Sequence, residues 1–165
     1  MKKNKILLAE PVIQTQETAA LINKVLKTNF PNEGKFTRLF ENKLSSLLKV
    51  KYVVATTSGT ISIFLALKAA GVKKNDEIII PNITFPATAN AVKLAGAKPI
   101  LADVNKDNLL MDEQSLIKNI NKKTKAIIPV HISGRGTNIS KILKIAKKKK
   151  VICYRGCCGS FYVKK

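Results

Sequence analysis

No cysteine occurs before Cys153, and no Asp or Glu occurs after Glu113. A chain free of cysteine over nearly its whole length is not a disulfide scaffold. The adjacent pair Cys157 and Cys158 lacks the two-residue gap of a zinc knuckle or redox motif. No stretch approaches the ~18 to 20 continuous apolar residues of a membrane helix. At the amino terminus, MKKNKILLAEPVI, the apolar run is cut at Glu10 and Pro11. That is too short for a secretory signal, so the expectation is a cytoplasmic protein with no membrane partner. Neither GxGxxG nor a P-loop lysine pattern occurs, so neither NAD nor ATP is signalled. There is no low-complexity linker and no repeat of solenoid length.

What is present suits one folded domain: 165 residues, 45% of them hydrophobic, with a mean hydropathy of +0.02. The charge is lopsided, with 30 Lys plus Arg against 10 Asp plus Glu, for a net +20. Arg38, Arg135 and Arg155 are the only arginines, and base-reading surfaces lean on arginine. The basic residues are spread along the chain, with one run at Lys147 to Lys150 that reads as a solvated helix end. Over-use of Ile, Asn and Lys is also what an AT-rich genome imposes. Nucleic acid is therefore not the expected primary partner. A non-catalytic basic α/β protein that binds anions or nucleic acid stands as the alternative reading.

Short apolar runs alternate with helical stretches. Apolar spacing predicts helices over 16–27, through Ala19, Ile22, Val25 and Leu26, and over 36–48, through Phe36, Leu39, Phe40, Leu44, Leu47 and Leu48. TNFPNEG between them is a turn-rich break. KYVVAT (51–56) reads as a buried strand. A helix over 59–70 closed by Gly71 follows, then a strand over 77–81, a helix over 85–94 ending at Gly96, and a strand over 98–104. Asp112 is placed to cap the next helix; strand 125–131, helix 139–149 and a strand beginning at Val151 complete the series. Strands apolar on both faces and alternating with helices predict an α/β fold with a parallel sheet in three α/β/α layers.

Such sheets bind ligands at the carboxyl ends of their strands, which directs attention to four places. Thr57-Ser58-Gly59-Thr60 opens a helix, where free N–H groups, hydroxyls and a glycine can cradle a phosphate. An ordinary N-cap by Ser58 or Thr60 explains the same residues. Phe85, in PNITFPATANA, can stack on a heterocycle or lie in the core under its helix. His131 precedes the loop ISGRG without any metal-ligand or Ser–His–Asp spacing. Asp103 closes a strand, where a cap or loop hydrogen bond is the default.

Taken in order, GKFTRLFENKL, TTSGTISIFLALKAAGV, DEIIIPNITFPATANAVKLAGAKPILADV and TKAIIPVHISGR resemble the DegT/DnrJ/StrS family of nucleotide-sugar aminotransferases. The likeness runs from about Pro11 to Cys153. It implies the pyridoxal-phosphate-dependent fold of the aspartate-aminotransferase type, with homodimers, an amino-acid donor (often glutamate) and a nucleotide-linked keto sugar as acceptor. Cysteine-desulfurase-like and aldolase-like proteins share that fold type, but the SGT and TFPAT segments favour the sugar enzymes.

By the resemblance, Ser58, Gly59 and Thr60 hold the pyridoxal 5'-phosphate phosphate, Phe85 stacks on its ring, and His131 and Gly134 are mainly structural. The family's loop carries an acid where Asn138 stands. The domain organisation so implied is an amino-terminal arm and helix over 1–34, part of the large cofactor domain over 35–153, and an aberrant tail over 154–165.

The chemistry also needs a Schiff-base lysine and an acid to pair with the pyridine nitrogen. In the family the acid lies in an EDAA segment after a strand beginning VI, and the lysine much later. Here VIC is followed by YRGCC, without an acid, and the lysine's stretch is not reached. No catalytic residue or metal ligand is assigned, and this chain itself is expected to be inactive. In one choice of synonymous codons, Cys-Tyr-Arg-Gly-Cys-Cys reads TGC-TAT-AGA-GGA-TGC-TGC. Removing one T from the tyrosine codon makes it Cys-Ile-Glu-Asp-Ala-Ala. A reading-frame disturbance between Cys153 and Gly159 is the expectation; a divergent tail is the alternative.

Overall fold

Three consecutive isoleucines, Ile78, Ile79 and Ile80, fill the middle of strand β1 (Glu77–Pro81), and all three are fully buried. Successive strand side chains point to opposite faces, so such a strand needs cover on both. The computed structural model, which describes residues 14–28, 32, 34–154 and 156–158 (the last three by backbone), supplies it.

The chain divides into two compact units, residues 1–55 and 56–165. The first holds α1 (Thr15–Leu26) and α2 (Lys35–Leu48). The second runs α3 (Gly59–Ala69), β1, α4 (Ala87–Leu94), β2 (Lys98–Ala102), α5 (Glu113–Asn119), β3 (Thr124–Ile127), β4 (Val130–Ile132), α6 (Ile139–Lys149), β5 (Ile152–Cys153) and β6 (Gly156–Cys158).

Four strands form a parallel sheet in the order β2-β1-β3-β5. Ile78 and Ile80 join a cluster with Leu67 of α3, Val92 of α4 and Ala126 of β3. Ile79 joins the other cluster, with Leu116 of α5, Ile142 of α6 and Ile127 of β3. Helices thus cover both faces, the three-layer α/β/α arrangement that the pattern predicts. Gly71 and Gly96 follow α3 and α4 with φ of +70° and +84°, left-handed conformations in which a glycine carries no Cβ penalty. Asp112 caps α5, its Oδ1 accepting from Ser115 N at 2.7 Å.

Four local expectations need correction. Residues 51–56 form no strand: Tyr52 and Val54 are each 77% exposed, and none of the strands pairs with the segment. An apolar run becomes a strand only where a neighbouring ladder accepts its backbone groups. The expected strand over 125–131 is two strands, β3 and β4, separated at Pro129, which has no N–H to donate. After the break, β4 pairs with β6 instead of with the main sheet. The strand over 98–104 ends at Ala102, and Val104 bridges antiparallel to Met111 in the connection that follows. The helix expected from Phe85 begins at Ala87, with Pro86 as its N-cap.

In the first unit, α1 and α2 follow the expected spacing, yet neither buries a residue. Leu21, Ile22, Leu39 and Phe40 stay about half exposed. Among the described residues no helix is long and apolar enough to cross a membrane. Residues 1–13, Arg155 and 159–165, with the basic start and most of the aberrant tail, lie outside the described residues.

Ile79→Ala leaves a cavity between the sheet and α5/α6 and should cost about 2–5 kcal/mol. Val54→Ala should stay within about 0.5 kcal/mol. Urea unfolding of both variants checks this, and equal losses would mean that residues 51–56 pack somewhere.

Candidate functional site

In a parallel sheet covered by helices, each helix runs against the strands. The amino end of α3 and the residues after β1 therefore share the carboxyl edge. That edge receives Ser58, Gly59 and Thr60 at the start of α3 and Phe85 between β1 and α4.

The amino end of α3 is built around hydroxyls. Ser58 is the N-cap, its Oγ accepting from Ile61 N at 3.3 Å. Thr56 Oγ1 donates to Ser58 O (3.1 Å) and also lies 2.5 Å from Ser62 Oγ. Ser62 Oγ in turn donates to Ser58 O at 3.2 Å. The first N–H groups of a helix have no intrahelical acceptor. Those of Gly59 and Thr60 find none among the described residues. No acid stands in the first turn, so the positive end of the helix dipole is uncompensated.

Gly59 adds a second observation. Its φ is not in the left-handed range, and a Cβ built on it meets nothing within 4 Å. The fold therefore makes no demand for glycine here. The open space lies at the free N–H groups, where a missing side chain lets an anion approach the backbone. These residues fit a phosphate group.

Phe85 is 61% exposed. It is not a core aromatic under its helix, and it leaves an apolar surface available to a flat ring. A groove of about 240 Å³ lies alongside α3, lined by Ser62, Ile63, Ala66, Leu67, Ile128 and Tyr154. Burial pushes the Tyr154 phenol up from its ordinary value of 10.0.

Other residues singled out by the sequence serve the loops. His131 is 4% exposed and its Nδ1 accepts from Thr137 N at 2.9 Å. Thr137 Oγ1 donates to Val130 O at 2.9 Å, and Gly134 turns between them at φ +74°. Asp103 Oδ1 accepts from Asn82 Nδ2 at 3.2 Å, joining the loops after β1 and β2. Asn138 caps α6, accepting from Lys141 N at 3.2 Å.

A second groove, of about 340 Å³, lies between the connections before α5 and α6. Its asparagine oxygens already accept from backbone: Asn105 from Asp107 N and Asn108 from Leu110 N, both at 2.9 Å. It is a set of turns and caps. Sequence spacing does not single out Thr56 and Ser62 beside the motif; the only signal was that Ser62 stands one helical turn after Ser58.

The profile of the DegT/DnrJ/EryC1/StrS aminotransferase family matches residues 12–164. The chain belongs to this family.

Among its relatives, GDP-perosamine synthase of Escherichia coli O157:H7 is 32% identical over 155 residues, which are 92% of this chain and 43% of that protein. The 3-oxo-glucose-6-phosphate:glutamate aminotransferase of Bacillus subtilis is 34% identical, over 96% of this chain and 36% of its own length. The chain therefore spans about two fifths of the curated relatives it matches. Bacillus subtilis NtdA, solved with bound cofactor PMP, superposes with a TM-score of 0.81 at 31% identity, covering 95% of this chain and 40% of that one. A GDP-4-keto-6-deoxymannose-3-dehydratase holding a trapped PLP-glutamate geminal diamine gives 0.84 at 26% identity, covering 94% and 42%. The fold of this family member is thus that of part of a pyridoxal-phosphate-dependent aminotransferase.

Two outcomes follow from the geometry of this aminotransferase-family chain. Gly59→Ala should preserve stability or raise it by up to about 1 kcal/mol, since the backbone is unstrained and the space is open; a loss in urea unfolding would show that the glycine serves the fold. The phenolate absorbance lost on Tyr154→Phe, followed at 295 nm, should have its midpoint above pH 10. A folded pKa raised above the unfolded one makes this stabilising contribution complete below pH 10 and removes it as pH rises further.

Proposed function

We propose that the chain is the amino-terminal part of the cofactor domain of a pyridoxal-phosphate-dependent sugar aminotransferase. In its intact form the enzyme moves an amino group from an amino acid, often glutamate, to a nucleotide-linked keto sugar. The product serves polysaccharide or cell-surface glycan synthesis. The intact enzyme works in the cytoplasm as a homodimer. The observation that carries this reading is the amino end of α3, where an unneeded glycine and two unengaged N–H groups stand in a chain of this family.

Bound at this edge, pyridoxal phosphate supplies an electron sink for amino transfer. The N–H groups of Gly59 and Thr60, with the hydroxyls of Ser58 and Thr60, hold its phosphate. Phe85 offers its exposed face to the ring and excludes water from one side of it. Ser62 and Thr56 brace Ser58 by the hydrogen bonds already described. An acid to keep the ring nitrogen protonated is missing from the stretch after β5, since the chain has no Asp or Glu beyond Glu113. These 165 residues on their own do not transaminate.

The family match continues to residue 164, through the acid-free tail. That continuity supports common ancestry for the tail; the frame disturbance between Cys153 and Gly159 rests on the codon reading alone. Sequencing the gene through codons 145 to 165 and downstream should reveal an Ile-Glu-Asp-Ala-Ala frame and a lysine-bearing remainder. A clean stop with no such frame behind it would leave the activity as ancestry alone. In the protein expressed from the restored frame, Gly59→Ala should weaken cofactor affinity roughly tenfold, as loss of one or two charge-assisted contacts does. Equilibrium dialysis reads this, and an unchanged affinity would remove the α3 site from the proposal.

A further inference from the structure

The topology that brings helix amino ends to the carboxyl edge of the sheet sends the carboxyl ends of α3, α4, α5 and α6 to the opposite edge. Each of α3, α4, α5 and α6 carries lysine in its last turn: Lys68, Lys93, Lys118 and Lys147–Lys149. One cation there is ordinary, because it offsets the negative pole of the helix. Here the turns leading into the next strands add more: Lys73 and Lys74, Lys122 and Lys123, and Lys150, while β2 begins on Lys98. All of them are exposed.

Two carboxylates share this edge. Asp76 accepts from Lys73 N at 2.8 Å and Glu77 from Asn121 Nδ2 at 2.7 Å. The other acids of residues 56–165 are Asp103, Asp107, Asp112 and Glu113, all in or beside the connection after β2, at the opposite edge. The ion pair found among the described residues, Lys141 with Glu113 at 3.4 Å, lies there too. Lysines scattered along the sequence are thus gathered by the fold into one positive face, remote from the α3 site.

We propose that this lysine edge docks the phosphodiester backbone of double-stranded nucleic acid without regard to sequence. Lysine is a hydrated point charge that meets phosphates, whereas base reading relies on the bidentate arginine fork. No arginine of the described residues and no aromatic ring belongs to this edge, so neither base reading nor stacking on single strands is provided for. An anionic bilayer draws on the same charge, but stable attachment takes a second, apolar anchor; Ile142 and Ala146 of α6 are buried against the sheet, and the exposed Leu94 and Ile117 stand on different helices. The charge is the feature common to the whole edge, and neutralising phosphates releases their condensed counterions. The proposal rests on the fold and not on the proposed transamination.

Fluorescence anisotropy of a labelled duplex of about 25 base pairs, titrated with the 165-residue chain between about 50 and 200 mM salt, tests it. The slope of log K against log salt should be about −4 or steeper, for five or more phosphates neutralised. Two duplexes of unrelated sequence should bind within about twofold of each other. Replacing Lys147, Lys148 and Lys149 together by Gln should flatten the slope by about 2 to 3. The triple variant Lys68→Gln/Lys93→Gln/Lys118→Gln should do the same.

A charge-matched control at the opposite edge of the same unit, Lys106→Gln/Arg135→Gln/Lys141→Gln, all at exposed positions, should leave the slope unchanged to within about 0.5. Far-UV circular dichroism confirms that all three variants fold, as their exposed positions lead one to expect. Equal flattening in all three would reduce the effect to net charge and overturn the assignment of the edge. So would absence of duplex binding at the lowest salt, or retention on phosphatidylserine vesicles in place of the duplex.

Discussion

Everything in residues 56–165 depends on β1 being sealed from water on both faces and both edges. Its three isoleucines each contribute about 1.5–3 kcal/mol only if fully buried, and they point alternately to opposite sides. One side requires α3 and α4, the other α5 and α6. The two edges require β2 and β3, because the backbone groups of a buried strand cannot be left unpaired. Layer order, strand order and the lengths of the connections all satisfy this single strand. With the layers set, the helix amino ends and the strand carboxyl ends have nowhere to go but the same edge.

The elements were legible where local chemistry decides them. Apolar residues three and four apart placed the helices within a residue or two, glycines marked the ends of α3 and α4, and Asp112 announced α5. Sequence reading failed where a distant partner decides. Residues 51–56 have the composition of a buried strand, yet nothing in a run of β-branched residues says whether a ladder exists to receive it. Pro129 was visible, but its effect depends on which strand would have accepted the missing N–H. The amino end of α3 was legible as a motif. The hydroxyl web from Thr56 through Ser58 to Ser62 was not, because it depends on how the chain enters the helix. The openness of Phe85 likewise depends on what packs over the segment after β1.

Charge shows the same division between local and global information. Along the sequence the lysines are dispersed and read as solvated surface. Folding a parallel α/β unit sorts them by their position within each helix, and a residue in the last turn of any helix reaches the same edge as every other last-turn residue. The acids sit mostly in one connection and are carried the opposite way. The unit is consequently polarised from one sheet edge to the other, and the acid-free stretch after Glu113 supplies only part of the lysines that make it so.

The ladder partners of β1 are spread unevenly along the chain, and this has a bearing on synthesis. Glu77 meets Lys98 on one side, about twenty residues later, and Thr124 on the other, nearly fifty residues later. A chain emerging from the ribosome at about 5–20 residues per second can therefore close β1 against β2 well before β3 exists to take the second edge. For those seconds the most apolar strand of the molecule is half-paired, with the face for α5 and α6 bare. The nascent chain then remains open to capture by a chaperone, for an interval set by nothing more than the spacing of three strands.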